Sequence, residues 1–196
     1  ETALLSNVAK TAGSSSAARK LGGCPTWYET NVDAGSGGSG AGNGAIRTDG
    51  TQRAFTEDQL KGILVSCYNE GGNPNMIMVN AFNKQKLSGF TGGSTRFDAA
   101  EDRRLITSID VYESDFGTMQ VAPNRFIRGA NSTSAKIGQD AHILDMEYWA
   151  VSFLRDFSLQ TPAQTADADQ RFMVAEYTLE SRNEKASGLI TDLTTS

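Results

Sequence analysis

The sequence predicts an α+β fold, in which helices dominate the first half of the chain and long strands the second. Apolar residues recur at helical spacing over residues 56–69, whereas residues 105–126 and 172–180 alternate with the period of two that half-buried strands show. A chain of 196 residues is long enough for one sizeable domain, or two small interleaved ones, with a real hydrophobic core.

Composition narrows the class of protein. The net charge of -5 gives the chain no electrostatic reason to coat nucleic acid. No stretch approaches the ~18 consecutive apolar residues of a membrane span. Leu4-Leu5 is too short for the apolar region of a signal peptide, and Glu1 stands where an initiator Met is expected. We therefore expect no membrane partner, and take Glu1 as a cut point of a processed or partial chain.

The first 21 residues predict a helix. Small and apolar residues recur at spacings of three and four from Ala3 to Leu21, with a defect at Gly13. Gly22-Gly23 and Pro25 would end this helix.

A loop rich in Gly, Ser, Ala and Asn follows, from Val32 to Gly50. Its segment Gly35–Gly40 is a literal G-x-G-x-x-G. A dinucleotide site would need a strand directly before this segment and a helix opening at its third glycine, but no helix is predicted before Thr56. The composition instead predicts a mobile surface loop.

The clearest helix begins at Thr56 and ends at Asn69. Thr56 is a suitable N-cap, and acidic residues occupy the first turn, where the helix dipole favours them. Its predicted buried stripe consists of Leu60, Ile63, Leu64 and Cys67. A short buried strand, Met76–Val79, and a second helix, Phe82–Phe90, with Phe82, Leu87 and Phe90 facing inward, complete a compact α/β unit.

Residues 105–126 predict a long β-hairpin. In the first arm Leu105, Ile109 and Val111 are expected on the buried face, and in the second arm Met119 and Val121. Ser114–Gly117 supplies a turn, because Asp and Ser bond nearby backbone amides and Gly permits a positive φ. Pro123 should end the pairing, since it has no N–H to donate.

For Phe172–Glu180 the sequence favours a further strand, although the Glu and Arg content up to Lys185 leaves a helix possible. The alternation places Met173, Ala175, Tyr177 and Leu179 on one face, and Val174, Glu176, Thr178 and Glu180 on the other. Residues 142–154 mix short apolar and acidic runs without a clear period. Leu189, Ile190 and Leu193 form a short apolar element near the end of the sequence.

Motifs that resemble catalytic sequences are weak. Asp115-Phe116-Gly117 matches the kinase D-F-G string, but the catalytic-loop and lysine motifs of kinases are missing from the sequence. We interpret it as turn chemistry. His142 lies beside apolar residues and is expected to be structural, because no nucleophile motif accompanies it.

The remaining candidate residues also favour structural roles. Cys24 and Cys67 share no metal-ligand spacing. They could form one disulfide, but nothing in the sequence requires it, and we expect two buried free thiols. The acidic groups Asp98, Glu101 and Asp102, and Asp167 with Asp169, do not have the spacing of a calcium loop. Asn131-Ser132-Thr133 is a glycosylation sequon by pattern alone. The sequence thus predicts no catalytic residue, no cofactor and no metal site.

Several phrases, in this order and spacing, resemble a family of tailed-bacteriophage major head proteins. They are ETALLSNVAK at the start, WYETN at Trp27–Asn31, VYESDFGTMQVAPNRF at 111–126, AHILDMEYWAVSFLR at 141–155 and FMVAEYTLESRNEKASGLITDL at 172–193. The resemblance spans nearly the whole chain, and its specificity lies in the ordered combination.

The resemblance implies the Hong-Kong-97-type capsid fold, with a long spine helix, a β-rich peripheral domain and an α/β axial domain. Residues 1–44 would hold the end of the spine helix and the Gly-rich loop, and residues 45–103 the axial α/β unit. Residues 104–187 would form long β-structure shared between the domains, and residues 188–196 would return to the axial domain. Family members carry an N-terminal arm and an extended loop before the spine helix, which this chain is expected to lack.

The implied function is that of a major capsid subunit, which self-assembles into the icosahedral shell around phage double-stranded DNA. The expected partners are copies of the chain in hexamers and pentamers, with portal, scaffold or decoration proteins possible and DNA only by non-specific proximity. The subunit would be made in the bacterial host cytoplasm and reside in the virion. Two alternatives stay open: another phage structural component, such as a tail or decoration protein, and a small α/β nucleotide-binding enzyme.

Overall fold

A computed structural model describes residues 2–90, 110–127, 137–163 and 169–195. Three α-helices lie in the first half of the chain: α1 (Thr2–Leu5), α2 (Glu57–Asn69) and α3 (Ala81–Ser88). The strands are β1 (Val32–Asp33), β2 (Met76–Val79), β3 (Val111–Ser114), β4 (Gly117–Pro123), β5 (Ala141–Leu144), β6 (Trp149–Gln160), β7 (Phe172–Ser181) and β8 (Gly188–Ile190). In the described part of the chain, no helix is long and apolar enough to cross a membrane.

Six strands form one mixed sheet, in the order β1-β8-β5-β2-β4-β3. β2 pairs in parallel with β4, and β1 pairs in parallel with β8, whereas the other neighbours are antiparallel. The remaining two strands, β6 and β7, pair only with each other in a separate antiparallel ribbon. Helices with a mixed sheet confirm the predicted α+β class.

The six-stranded sheet has a hydrophobic core on each face. The first core includes the buried stripe of α2 together with Leu87 of α3 and alternate residues of the central strands. The second core contains Leu5, Cys24, Tyr28, Ile127, Leu144 and Leu189. Residues from the N-terminal third of the chain therefore close the sheet face opposite α2. We call this six-stranded sheet with its two covering layers the body.

The predictions for α2 and its neighbours are confirmed. Thr56 caps α2 in a capping box with Gln59. Leu60, Ile63, Leu64 and Cys67 are all buried, and β2 occupies the predicted residues. In α3, Leu87 is buried and Phe90 packs against the first core, as expected. Asn83, rather than Phe82, completes the buried face of α3.

Helix α1 is much shorter than the predicted helix of residues 1–21, which is wrong beyond Leu5. Thr11 and Lys20 pair as an antiparallel bridge instead. The Ser14 hydroxyl accepts a hydrogen bond from the Ala17 amide at 3.1 Å, and such local side-chain bonds compete with a helix. Gly13 has φ +81°, a conformation that a right-handed helix does not contain.

The loop between β1 and α2, residues 34–55, is not the free surface loop that its composition predicts. Ser39 and Thr48 exchange two backbone hydrogen bonds of 3.0 Å. The amides of Gly42 and Gly44 donate to the carbonyls of Tyr28 and Thr26. We call this segment the cover loop, since it lies against the body through these bonds and through the buried side chain of Arg47.

The hairpin prediction holds for the turn and for β4. Ser114 and Gly117 pair across the turn, β4 ends at Pro123, and Met119 and Val121 are buried together. In the first arm the buried face is the opposite of the predicted one, because Val111 is 61% exposed and Tyr112 is buried. Leu105 and Ile109 lie outside the described residues. The hairpin pairs with β2, so it is separate from the late strand β7.

Candidate functional site

The ribbon consists of β6 and β7, the longest strands among the described residues. Cross-strand partners run from Trp149 opposite Ser181 to Gln160 opposite Phe172. The register shifts between Phe153 and Arg155, and again between Arg155 and Ser158. The predicted strand 172–180 is confirmed, whereas β6 was not predicted.

One face of the ribbon is apolar and open. Opposed pairs Val151–Leu179, Phe153–Tyr177 and Leu159–Met173 share this face, because directly opposite residues of an antiparallel pair point the same way. Phe153 is 49% exposed and Met173 66% exposed. The Phe153 ring lies 5.9 Å from the Phe157 ring and 6.0 Å from the Tyr177 ring, centroid to centroid. We call this surface the apolar ribbon face.

The opposite face of the ribbon carries several charged side chains, together with Phe172, which is 44% exposed. Arg155 forms an ion pair with Glu176, which lowers the pKa of that carboxyl. Glu180 accepts from the Ser152 hydroxyl at 2.8 Å and from Arg182 at 3.0 Å, and these bonds lower its pKa. The two faces of the ribbon therefore differ: one holds its ion pairs, and the other is apolar.

A small hydrogen-bond network fixes the ribbon to the body. The Ser187 hydroxyl accepts from the backbone amide of Asp145 and from the indole of Trp149, each at 3.0 Å. The Asp145 side chain accepts from the amides of Asn73 and Glu147. Trp149 and Leu179 also pack against the second core. The apolar ribbon face is therefore continuous with the buried core of the body.

Replacing Ser187 by Ala should destabilise this junction. The change leaves the Asp145 amide and the Trp149 indole without their shared acceptor, at a cost of about 1–3 kcal/mol. Chemical denaturation of the Ser187→Ala variant, with Ser152→Ala on the ribbon's polar face as the control, measures the difference. A free energy of unfolding equal to that of the control would show that the junction does not depend on this hydroxyl.

In the part of the chain that the structure describes, a buried cluster of charged side chains surrounds Arg47. Its guanidinium contacts Asp140 at 2.8 Å, Asp192 at 3.3 Å and Asp49 at 2.8 Å. The side chains of Arg47, Asp140 and Asp192 are fully buried. Arg47 comes from the cover loop, Asp140 directly precedes β5 and Asp192 follows β8. We call these four residues the Arg47 cluster; it joins the cover loop to the ends of two central strands.

The predicted structural role of His142 is consistent with its position in β5. It is fully buried, and burial lowers its pKa to about 3, with the positive charge of Arg47 as a smaller cause, so the ring is neutral. Its Nδ1 lies 3.8 Å from the Cys24 sulfur, which in turn lies 3.3 Å from the Tyr28 hydroxyl. Burial raises the pKa of the Cys24 thiol to about 12, which makes the reactive thiolate scarce.

Other candidates from the sequence occupy unremarkable positions where they are described. Asp115 and Phe116 form the hairpin turn, and the Ser114 hydroxyl accepts from the Phe116 amide at 3.2 Å. Asp169 pairs with Arg171 on the surface. Cys24 and Cys67 are buried, as predicted, with free thiols. Asp98, Glu101, Asp102, the sequon at Asn131 and Asp167 lie outside the described residues.

Two features of the described structure are not predicted by the sequence. One is the set of buried ion pairs of Arg47 with Asp140 and Asp192, for which the Arg in a Gly-rich loop is the available signal. The β6 half of the ribbon was missed because its two register shifts break the alternation of WAVSFLRDFSLQ. Among the described residues, no group of three or more His, Cys, Asp or Glu side chains could hold a metal ion.

A body closed on both sheet faces, joined to a ribbon with an open apolar face, defines a subunit made for assembly. Comparison with known families agrees. The family model of the SU10 major capsid protein matches residues 1–194, and the chain belongs to this family. No curated protein matches it.

The chain is thus a structural capsid subunit of a bacteriophage, which self-assembles into capsid oligomers and resides in the virion. Of the three functions that the sequence left open, the capsid function is the one that the family match supports.

Proposed function

We propose that the chain forms the icosahedral shell around phage double-stranded DNA, and that the apolar ribbon face is an assembly contact buried against a neighbouring copy. The observation that carries this proposal is the exposure of six large apolar side chains on one face of a two-stranded ribbon. An isolated ribbon of two strands is marginally stable in water, so its apolar face needs a covering surface.

The size of the face suits this role. Six of its side chains, Val151, Phe153, Phe157, Leu159, Met173 and Tyr177, are each 37–66% exposed, whereas Leu179 is half-buried. With large side chains contributing about 150–250 Å² each when fully exposed, the open apolar area is on the order of 500 Å². That is near the upper limit for a patch on a monomer, and it supplies more than half of the ~800 Å² per partner in a standard interface.

The finer architecture that we propose is the Hong-Kong-97-type fold. The six-stranded sheet with α2 and α3 corresponds to the axial domain, and the ribbon to part of the peripheral domain. Helix α1 would be the end of the spine helix. Hexamers and pentamers are the expected capsomers, with portal, scaffold or decoration proteins as further partners. The subunit has no enzymatic role, is made in the bacterial host cytoplasm, and meets packaged DNA only by proximity, since its net charge is -5.

Single charges on the apolar ribbon face should abolish or strongly impair assembly. Phe153→Lys and Met173→Lys each place an ammonium group in the proposed contact, where its desolvation is unfavourable. The matched control is Thr178→Lys on the polar face of the same ribbon, beside Glu176 and Glu180. Sedimentation velocity and electron microscopy of the full-length protein measure the fraction in shells or capsomers.

The expected result is loss of shells for the two apolar-face variants and normal shells for the control. Because Phe153 and Met173 are exposed in the subunit, their replacement should leave the circular dichroism and the melting temperature of the unassembled protein unchanged. Normal shells from Phe153→Lys would refute the contact. A lowered melting temperature of the unassembled variants would instead assign the face to the interior of the subunit.

A further inference from the structure

The Arg47 cluster carries more negative groups than its one guanidinium can neutralise. Three carboxylates, those of Asp49, Asp140 and Asp192, surround Arg47. With every group ionised, the cluster would hold a net charge of about -2 in a largely buried site, which is unfavourable in a medium of low polarity. Two carboxylates are therefore in excess of the single guanidinium charge.

The three carboxylates differ in their hydrogen bonding. Burial acts to raise the pKa of Asp192, but the amide of Gly50, the Thr191 hydroxyl, the amide of Gly35 and the charge of Arg47 together hold it below its ordinary value. Asp49 is 31% exposed, so water contributes to its solvation. Asp140 is fully buried, and its Oδ2 has no hydrogen-bond partner among the described residues. Of the three carboxylates, that of Asp140 is thus the one that binds a proton most readily.

The electrostatic surroundings of Asp140 agree with this geometry. Burial, together with the smaller effects of the negative charges of Asp192 and Asp49, raises its pKa to about 7, against the lowering effect of Arg47. His142 lies in β5, two residues after Asp140. Its pKa is lowered, so the ring is neutral and adds no charge to the cluster. The Cys24 thiol is neutral as well.

We propose that the Arg47 cluster is a proton-dependent latch, which holds the cover loop tightly on the body while Asp140 is protonated and more loosely once Asp140 ionises. The cover loop reaches the cluster through Arg47 and Asp49, and the amide of Gly35 donates to Asp192 at 3.0 Å. When Asp140 loses its proton to solvent, three carboxylates repel one another across a single guanidinium. Opening of the loop then relieves the repulsion. This inference does not depend on how subunits meet in the shell.

Proton linkage determines how the opening of the cover loop depends on pH. The pKa of Asp140 is higher when the loop is closed than when it is open, so the closed state binds more protons. The free energy that favours the closed state therefore falls as pH rises from about 4 to about 7, and then levels off. Between about pH 6 and about pH 8.5, the opening equilibrium should increase about tenfold.

Hydrogen exchange with mass spectrometry, corrected for the intrinsic pH dependence of amide exchange, tests the latch. The amides of Ser39 and Thr48, which pair within the cover loop, should lose about tenfold in protection over that pH range. Amides of α2 serve as the internal reference. In Asp140→Asn, whose neutral carboxamide imitates the protonated carboxyl, protection of the cover loop should not change with pH. The exposed Asp156→Asn should behave like the wild-type protein.

A second variant covers the case in which Asp140→Asn does not fold. Asp49→Asn removes one repelling charge from a partly exposed position, so the loss of protection should become clearly smaller than tenfold over the same pH range. Protection of the wild-type cover loop that does not change with pH would overturn the proposal. So would a pH dependence in Asp49→Asn, or in a folded Asp140→Asn, equal to that of the wild-type protein.

Discussion

Replacing Arg47 by Met is expected to lower the free energy of unfolding by about 3–5 kcal/mol. Met keeps most of the volume of the side chain but removes the positive charge. Asp140 and Asp192, both fully buried, then lose the group that neutralises them. Natural domains have about 5–15 kcal/mol in total, so this one change removes a large share of the stability. Urea denaturation of the unassembled subunit measures it.

The control for this prediction is Arg182→Met. Arg182 also pairs with a carboxylate, that of Glu180 at 3.0 Å, but both side chains are largely exposed. Exposed ion pairs contribute little, because water solvates the two charges almost equally well when they are apart. Arg47→Met and Arg182→Met with the same unfolding midpoint would show that the buried cluster does not hold the cover loop to the body.

Replacing Gly72 by Ala is expected to lower the free energy of unfolding by about 3 kcal/mol, the upper end of the range for overpacking a core. Gly72 follows α2, and its amide donates to the Cys67 carbonyl at 2.9 Å. A Cβ at Gly72 would lie 2.5 Å from the Cα and 2.6 Å from the carbonyl oxygen of Ala186. Both are backbone atoms, so no side-chain rotation relieves the contact. Thermal and urea denaturation measure the loss.

Gly62, which lies within α2, provides the control. A Cβ at Gly62 meets no atom within 4 Å, and the residue lies on the exposed side of α2. Gly62→Ala should therefore stabilise the subunit by about 0.5–1 kcal/mol, because Ala loses less backbone entropy in a helix. Opposite signs for the two Gly→Ala changes would confirm the close approach of α2 to residue 186. A neutral Gly72→Ala would contradict it.

The elements that could be predicted from the sequence are those whose own residues determine their structure. Helix α2 has its cap at Thr56, its acidic first turn and a regular buried stripe, so no distant contact is needed to recognise it. The turn of the hairpin is likewise encoded locally by Ser114–Gly117. The faces of β7 followed from simple alternation, and its apolar side is the side that the structure leaves open.

The remaining elements depend on partners distant in sequence. The spacing of small residues before Leu21 suits a helix, but the pairing of Thr11 with Lys20 and the turn at Gly13 take its place. Val111 and Tyr112 exchange roles because the register with β4, not hydrophobicity, decides which side chain is buried. The Arg47 cluster joins residues about 145 positions apart, as in the bond between Arg47 and Asp192.

The position of β8 in the sheet determines when the six-stranded sheet can be completed during synthesis. This strand comes last along the chain but lies between β1 and β5, and β1 pairs with no other described strand. While the ribosome is still translating, the nascent subunit lacks Leu189 and Ile190 from the middle of its sheet, and Asp192 from the partner set of Arg47. The body closes only after these residues emerge. The ribbon, in contrast, is synthesised before β8, so its two strands can pair while the six-stranded sheet is still incomplete.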